Sequence, residues 1–246
     1  MKSSSPVLPV LSAKIQFPDV AKAIALRDGL VAIGGDLSVQ RLLAAYRQGI
    51  FPWFGENEPI CWWALSPRMV LFPSDFYVGR SLRKALKSQV YTVTVNRDFG
   101  QVICLCARQK RPGQNGTWIV PAMQDAYISL HKAGFAHSFE YWDESGTLQG
   151  GLYGVQIGQV FCGESMFART DNASKIAFVH AVRYLSTLGL GLIDCQMHTE
   201  HLARFGARQI PYFDFLADLQ RYQNCPLKNI IYPQILACNR MTPLGE

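Results

Sequence analysis

GQVFCGESMFARTDN, Gly158 to Asn172, reads as an apolar strand from Gln159 to Phe167 that runs into a polar loop. Glu164 interrupts that strand, and a carboxylate in such surroundings is costly unless something uses or pairs it. Upstream lie two further strand patterns, His137 to Trp142 and Leu148 to Ile157, with Gly146 and Gly158 at the turns. Downstream come a helix from Ala173 to Leu188 and a strand from Leu190 to Cys195, where LIDCQ (Leu192 to Gln196) carries a second carboxylate, Asp194. Three strands joined at glycines, then a helical crossover into a fourth, predict a mixed sheet flanked by helices.

Strand periodicity sorts these side chains. Phe161, Gly163, Ser165 and Phe167 are expected on one face, with Cys162, Glu164 and Met166 on the other. On the later strand Leu192, Asp194 and Gln196 share a face opposite Ile193 and Cys195. Asp194 and Gln196 then point into one space, an ionisable group beside a neutral amide. Such a pair can relay a proton and orient an amine or an oxyanion; it also suits a structural hydrogen bond at a strand end.

Outward from this centre, the chain continues with a helix from Glu200 to Phe205, a strand from Ala207 to Ile210 and a helix from Phe213 to Tyr222. The tail from Gln223 has three prolines and little periodicity, and is expected to wrap the surface. Toward the N-terminus, the helix Pro121 to Lys132 ends at Gly134, the helix Phe99 to Gln109 follows the alternating strand Tyr91 to Asn96, and a helix spans Ser81 to Lys87. MVLFP after Ser66–Pro67–Arg68 is a short strand, with a domain boundary between Ser66 and Ser74. Before it, VAIGGDLS is a strand ending at Gly34–Gly35, with Asp36 or Ser38 placed to cap a helix over Val39 to Gln48. Residues 1–16 are expected to form a loosely ordered arm. IFPWFGENEPICWW, Ile50 to Trp63, is the most aromatic stretch; it serves either as a small core joining two domains or as a wall for stacking a base.

Composition sets limits on function. The 246 residues are 49% apolar and 17% charged, as in a globular protein. The net charge is +6, yet Gly79 to Gly113 alone carries Arg80, Arg83, Lys84, Lys87, Arg97, Arg108, Lys110 and Arg111 against one acid, Asp98. One basic face therefore holds the whole excess, and Arg80, Arg83, Lys84 and Lys87 at helical spacing form a comb for phosphates. The seven cysteines are scattered without a C-x-x-C, which fits reduced thiols in the cytoplasm rather than a disulfide framework. MKSSSPVLPVLSAK makes a poor signal peptide, and no apolar run is long enough to span a membrane. Cys195, His198 and His201 have metal-ligand spacing but lack an evident fourth ligand, so no metal is expected; nothing marks a thiol as an activated nucleophile.

GGDLS (Gly34 to Ser38), LLAAYRQGIFPW (Leu42 to Trp53), WWALSPR (Trp62 to Arg68), GTWI (Gly116 to Ile119), HSFE (His137 to Glu140), GGLYG (Gly150 to Gly154), FCGESMF (Phe161 to Phe167), NASK (Asn172 to Lys175) and LIDCQ together resemble leucyl/phenylalanyl-tRNA–protein transferases. The likeness runs in order from about Phe17 to Phe215. It implies an α+β fold, with a small N-terminal α/β domain (1–66) followed by a GNAT-like mixed-sheet domain flanked by helices (67–246). It implies a cytoplasmic enzyme that moves Leu or Phe, and also Met, from aminoacyl-tRNA to proteins with N-terminal Arg or Lys, marking them for N-end-rule degradation without any cofactor. Leu-tRNA and Phe-tRNA are then the donors, with the acceptor stem over Arg80, Arg83, Lys84 and Lys87. Trp53 and Trp118 match positions that stack the 3′ adenine; Leu152, Phe161, Met166 and Ile193 wall the pocket for the transferred side chain, although Leu152 and Leu185 replace an expected methionine and phenylalanine. Glu164 is assigned an amine, and Asp194 with Gln196 the proton chemistry. Two rivals remain: an acyl-CoA N-acyltransferase, against which ARTDNASK (Ala168 to Lys175) lacks the glycines of a pyrophosphate loop, and a non-catalytic RNA-binding module.

Overall fold

The computed structural model describes residues 8–109 and 117–239. The GTWI glycine and the two cations Lys110 and Arg111 therefore lie outside the described residues, as do residues 1–7 of the arm. Short polar side chains start several helices by accepting backbone N–H groups that have no partner within the helix. Asp19 takes those of Ala21 and Lys22, and opens α1 (Val20–Arg27). Ser38 takes that of Arg41, and opens α2 (Val39–Tyr46).

These two helices accompany a small sheet of β1 (Val10–Leu11), β2 (Leu30–Gly34), β3 (Phe51–Pro52) and β4 (Cys61–Trp63), in the order β1-β2-β4-β3. The arm is thus not loose throughout: Val10 and Leu11 pair in parallel with Ile33 and Gly34. The cause is Arg41, fully buried, whose guanidinium donates to the carbonyls of Ser12 and Lys14 at 2.8 and 3.2 Å and to Asp36 at 3.0 and 3.1 Å. Hydrogen bonds from Arg41 and Ser38 hold the Asp36 carboxyl down at about 2.

The larger sheet draws on β5 (Arg68–Leu71), β6 (Tyr91–Val95), β7 (Ala136–Trp142), β8 (Leu148–Ile157), β9 (Val160–Ala168), β10 (Leu192–Gln196), β11 (Arg208–Ile210) and β12 (Gln234–Asn239), in the order β11-β5-β10-β9-β8-β7-β6-β12. Its helices are α3 (Arg80–Ser88), α4 (Phe99–Arg108), α5 (Pro121–Lys132), α6 (Ala173–Thr187), α7 (Glu200–Ala203) and α8 (Tyr212–Gln223). β7, β8 and β9 form the expected meander, turning at Gly146 and Gly158, both with positive φ. β9 and β10 are the parallel pair, joined through α6 because parallel neighbours need a crossover. The fold is α+β with a mixed sheet between helices. No helix among the described residues is long and apolar enough to cross a membrane.

One core fills the sheet face under α4 and α5 and continues into the small sheet, through Tyr127, Tyr153, Cys162, Trp62, Leu42 and Tyr46. The other fills the opposite face under α3 and α6, through Leu82, Phe139, Leu152, Phe161, Ile176 and Ile193. Glu140 is buried between β6 and β7, where the hydroxyls of Thr94 and Ser138 donate to it at 2.6 and 2.5 Å; this accounts for the serine and acid of HSFE.

Two sequence expectations are corrected here. The tail does not simply wrap the surface: Gln234–Asn239 pairs antiparallel with β6 and becomes an edge strand. The simple alternation along β9 also fails. Tyr153 pairs with Ser165 but the next residue, Gly154, pairs with Gly163. Glu164 is therefore the extra residue of a β-bulge, and the parity of the strand reverses across it. Phe161 and Met166 consequently face the same core, while Cys162 and Phe167 face the other.

Candidate active site

β9 and β10 stay paired from Val160↔Leu192 only as far as Cys162↔Asp194. Beyond that point β9 bulges at Glu164, and β10 slips against β5 between Asp194 and Gln196, with Gln196 at φ +54°. The two strands separate at their carboxyl ends, and a cavity of about 710 Å³ opens between them, a size typical of small-molecule sites. Trp53 and Trp118 line one part of it; Leu152, Phe161, Met166 and Ile193 form apolar wall; Glu164 and Gln196 supply polar groups. All seven substrate-binding candidates thus share one cavity. Gly154 lets the wall pack this closely, because a Cβ there would stand 2.3 Å from the Cys162 carbonyl oxygen and 2.6 Å from the Phe161 ring.

The polar groups form a chain. Gln196 donates its side-chain N–H to one oxygen of Glu164 at 3.1 Å, and the Tyr127 hydroxyl donates to the other at 2.9 Å. Tyr127 in turn shares a 2.5 Å hydrogen bond with Tyr46, which reaches in from α2. Burial pushes the Glu164 carboxyl up to about 7, against the pull of its tyrosine partners. With its N–H committed to Glu164, the Gln196 amide keeps its oxygen as an acceptor for an incoming donor.

Asp194 is placed differently from its neighbour. It is buried, does not line the cavity, and receives Arg68 in a bidentate pair at 2.8 and 2.7 Å, both side chains 1% exposed. Its Oδ1 also accepts the backbone N–H of Gln196 at 3.0 Å. The expected partnership of the two residues therefore runs through the Gln196 backbone, not its amide side chain. Arg68 lies between the rings of Phe51 and Phe215, 4.9 and 4.7 Å from their centroids, so aromatic faces supplement the one carboxylate. Sequence reasoning missed Arg68, Tyr127 and Tyr46. The one local signal was a lone arginine at the head of the apolar run MVLF.

Arg80, Arg83, Lys84 and Lys87 are all exposed on α3 and away from the cavity walls. None of the four has a salt bridge among the described residues, which leaves the comb open to an anionic partner. Cys195, His198 and His201 do not come together: no group of three metal-ligating side chains forms among the described residues. Burial pushes the thiols of Cys162 and Cys195 well up, so neither is a thiolate.

Residues 70–220 match the family model described as leucyl/phenylalanyl-tRNA protein transferase, and residues 35–66 match the model of its N-terminal domain. The chain belongs to the leucyl/phenylalanyl-tRNA–protein transferase family. Among curated members of that family, the protein from Anaeromyxobacter sp. (strain Fw109-5) is 54% identical over 88% of this chain and 91% of its own length. The one from Chromobacterium violaceum is 52% identical over 93% and 94%. A solved structure of L-PGS from Bacillus licheniformis overlaps 65% of this chain and 53% of its own at 14% identity and TM-score 0.37, too loosely to carry an argument. Leucyl/phenylalanyl-tRNA–protein transferase chemistry is thus the frame in which the cavity of this family member is to be explained.

Proposed function

We propose that the protein transfers Leu or Phe from Leu-tRNA or Phe-tRNA to the α-amino group of proteins with N-terminal Arg or Lys, in the cytoplasm, creating an N-end-rule degradation signal. The single observation that carries the reading is the Gln196–Glu164–Tyr127 network beside the apolar wall of Leu152, Phe161, Met166 and Ile193, in a chain of this family. The adenine of the tRNA end stacks on Trp53 and Trp118, and the Leu or Phe side chain enters the wall of Leu152, Phe161, Met166 and Ile193. Arg80, Arg83, Lys84 and Lys87 hold the acceptor stem.

An aminoacyl ester is already activated, so the enzyme must mainly position the amine and move its proton. An N-terminal amine titrates at roughly 7.7–8.0, and a carboxylate near 7 is well matched to it as an acceptor. The acceptor amine is drawn in by Glu164 and oriented by the Gln196 amide oxygen. A bond forms from its nitrogen to the ester carbonyl carbon, and the bond from that carbon to the ribose 3′-oxygen breaks. The acceptor arrives as an ammonium and first gives one proton through Glu164 to solvent; the second, lost as the new bond to nitrogen forms, passes to Glu164 and from there to the departing 3′-oxygen. Asp194 serves the step by fixing the backbone of Gln196, while Arg68 neutralises it.

The test is transfer of labelled leucine from Leu-tRNA to a protein beginning with Arg, beside the same protein beginning with Met. Label on the Arg protein alone is expected. Intact tRNA binding with no transfer would replace the reading by an RNA-binding module.

A further inference from the structure

The cavity reaches the N-terminus of α6, where four features coincide that the transfer step leaves unused. Ser174 and Lys175 both line the cavity wall. Ser174 is only 9% exposed, and its hydroxyl has no hydrogen-bond partner among the described residues. The cap of α6, Asn172, adopts a left-handed conformation and offers its side chain to no backbone N–H of the helix. Among backbone bonds at this helix start only Ala173 N–H to the Thr170 carbonyl and Ile176 N–H to the Asn172 carbonyl occur, so the N–H groups of Ser174 and Lys175 are left over. His201 adds a fourth element: it lines the same cavity, and its Nε2 is buried without a partner.

Donors left without a protein partner in a cavity wall are free to meet an anionic ligand. A fifteen-residue helix aims the positive end of its dipole at this point. The Lys175 ammonium makes one long contact, 3.4 Å to the Asn172 side-chain oxygen, and no salt bridge among the described residues. The site is rigid as well as electropositive. The start of α6 presses on β8 so closely that a Cβ on Gly150 would lie 2.6 Å from the Cβ of Ala173 and 2.8 Å from the Ser174 nitrogen.

We propose that the Ser174 hydroxyl, the free N–H groups of Ser174 and Lys175, and the Lys175 ammonium form a subsite for the phosphate that joins the terminal adenosine of the tRNA to the nucleotide before it. The inference rests on the transferase reading and extends it. Charge divides the cavity between the two substrates: the anionic donor is held at Lys175, and the cationic N-terminus of the acceptor is drawn to Glu164. A phosphodiester suits the donor set, since its two free oxygens accept hydrogen bonds from backbone, hydroxyl and ammonium donors together.

The experiment uses two stable amide analogues, 3′-leucylamido-3′-deoxyadenosine with and without a 5′-phosphate, titrated against the full chain by tryptophan fluorescence. The wild-type protein should bind the phosphorylated compound about tenfold more tightly. Ser174→Ala should lose part of that advantage. Lys175→Glu should abolish it or invert it, while the unphosphorylated compound binds as before. Glutamate is favoured at this third helical position, so unwinding of α6 cannot mimic the result. Equal binding of the two compounds to wild type, or an advantage that survives Lys175→Glu, would overturn the subsite and leave the transferase reading standing. Binding of neither compound would overturn both.

Discussion

Asp194→Asn is expected to cost the protein far more than a conservative change of one atom. The carboxylate meets Arg68 in two hydrogen bonds of 2.7 and 2.8 Å with both side chains 1% exposed, so the variant strands a guanidinium in the interior. Arg68 cannot shed its charge, and its Nη1 already lacks a partner. Removing one member of a buried pair typically costs about 3–5 kcal/mol, and that is the expected loss. The double variant Arg68→Met/Asp194→Leu removes both charges and fills the space with apolar groups, and should recover most of the loss. Urea unfolding of wild type, Arg68→Met, Asp194→Leu and the double variant, followed by fluorescence and circular dichroism together, closes the cycle, and the coupling energy should exceed the cost of either single change, at about 3 kcal/mol or more. The leucine side chain of the double variant has no oxygen for the Gln196 N–H, so a refolded protein should still transfer slowly. A loss of less than about 1 kcal/mol in Asp194→Asn, or a double variant no more stable than the worse single one, would show that Arg68 does not depend on this carboxylate.

Glu164→Gln tests the base. Its carboxyl is raised by burial from 4.5 to about 7, so wild-type transfer should climb with pH through about 7, and the variant should lose that step along with most of its rate. Stability has the opposite sign: a raised carboxyl favours the protonated folded state, so wild-type stability should fall as pH rises from about 4.5 to 7, and thermal melts of the variant should be flatter across that window. For the comb, neutralising Arg80, Arg83, Lys84 and Lys87 together should weaken tRNA binding and flatten its salt dependence by up to about 0.9 log unit per lost phosphate contact, with little change in turnover at saturating tRNA; unchanged salt dependence would remove these residues from the tRNA site. Gly154→Ala should destabilise by about 1–3 kcal/mol through overpacking and raise the KM for Phe-tRNA, because the added Cβ collides with the Phe161 ring; a neutral result in melts and kinetics would contradict that wall.

Much of the element order was legible because local signals agree with global packing. Glycines at Gly146, Gly158 and Gly134 mark real turns, and Ser38 caps the helix it precedes. The carboxylate at Glu164 pointed to the cavity it lines by the opposite signal, since it is out of place in an apolar strand. What stayed hidden depends on partners far along the chain. Arg68 finds Asp194 across 126 positions, and Tyr127 finds Glu164 across 37; no local pattern encodes either meeting. The bulge was invisible for a different reason. A period-two pattern assumes one residue per partner, and only the pairing with β8 reveals that Glu164 has none. Periodicity therefore set Phe161 and Met166 on opposite faces, while the grouping of both as pocket wall rested on the family likeness.

The strand at Gln234–Asn239 has a consequence for how the protein comes into being. β6 sits between β7 and this strand, so during synthesis its outer row of N–H and C=O groups stays bare until residues 234–239 have left the ribosome. A bare strand edge is a template for pairing with other chains. The sheet is therefore expected to keep an adhesive edge in the nascent chain until this late-made segment arrives to close it. A chain cut short before Gln234 would keep that edge and is expected to be prone to self-association.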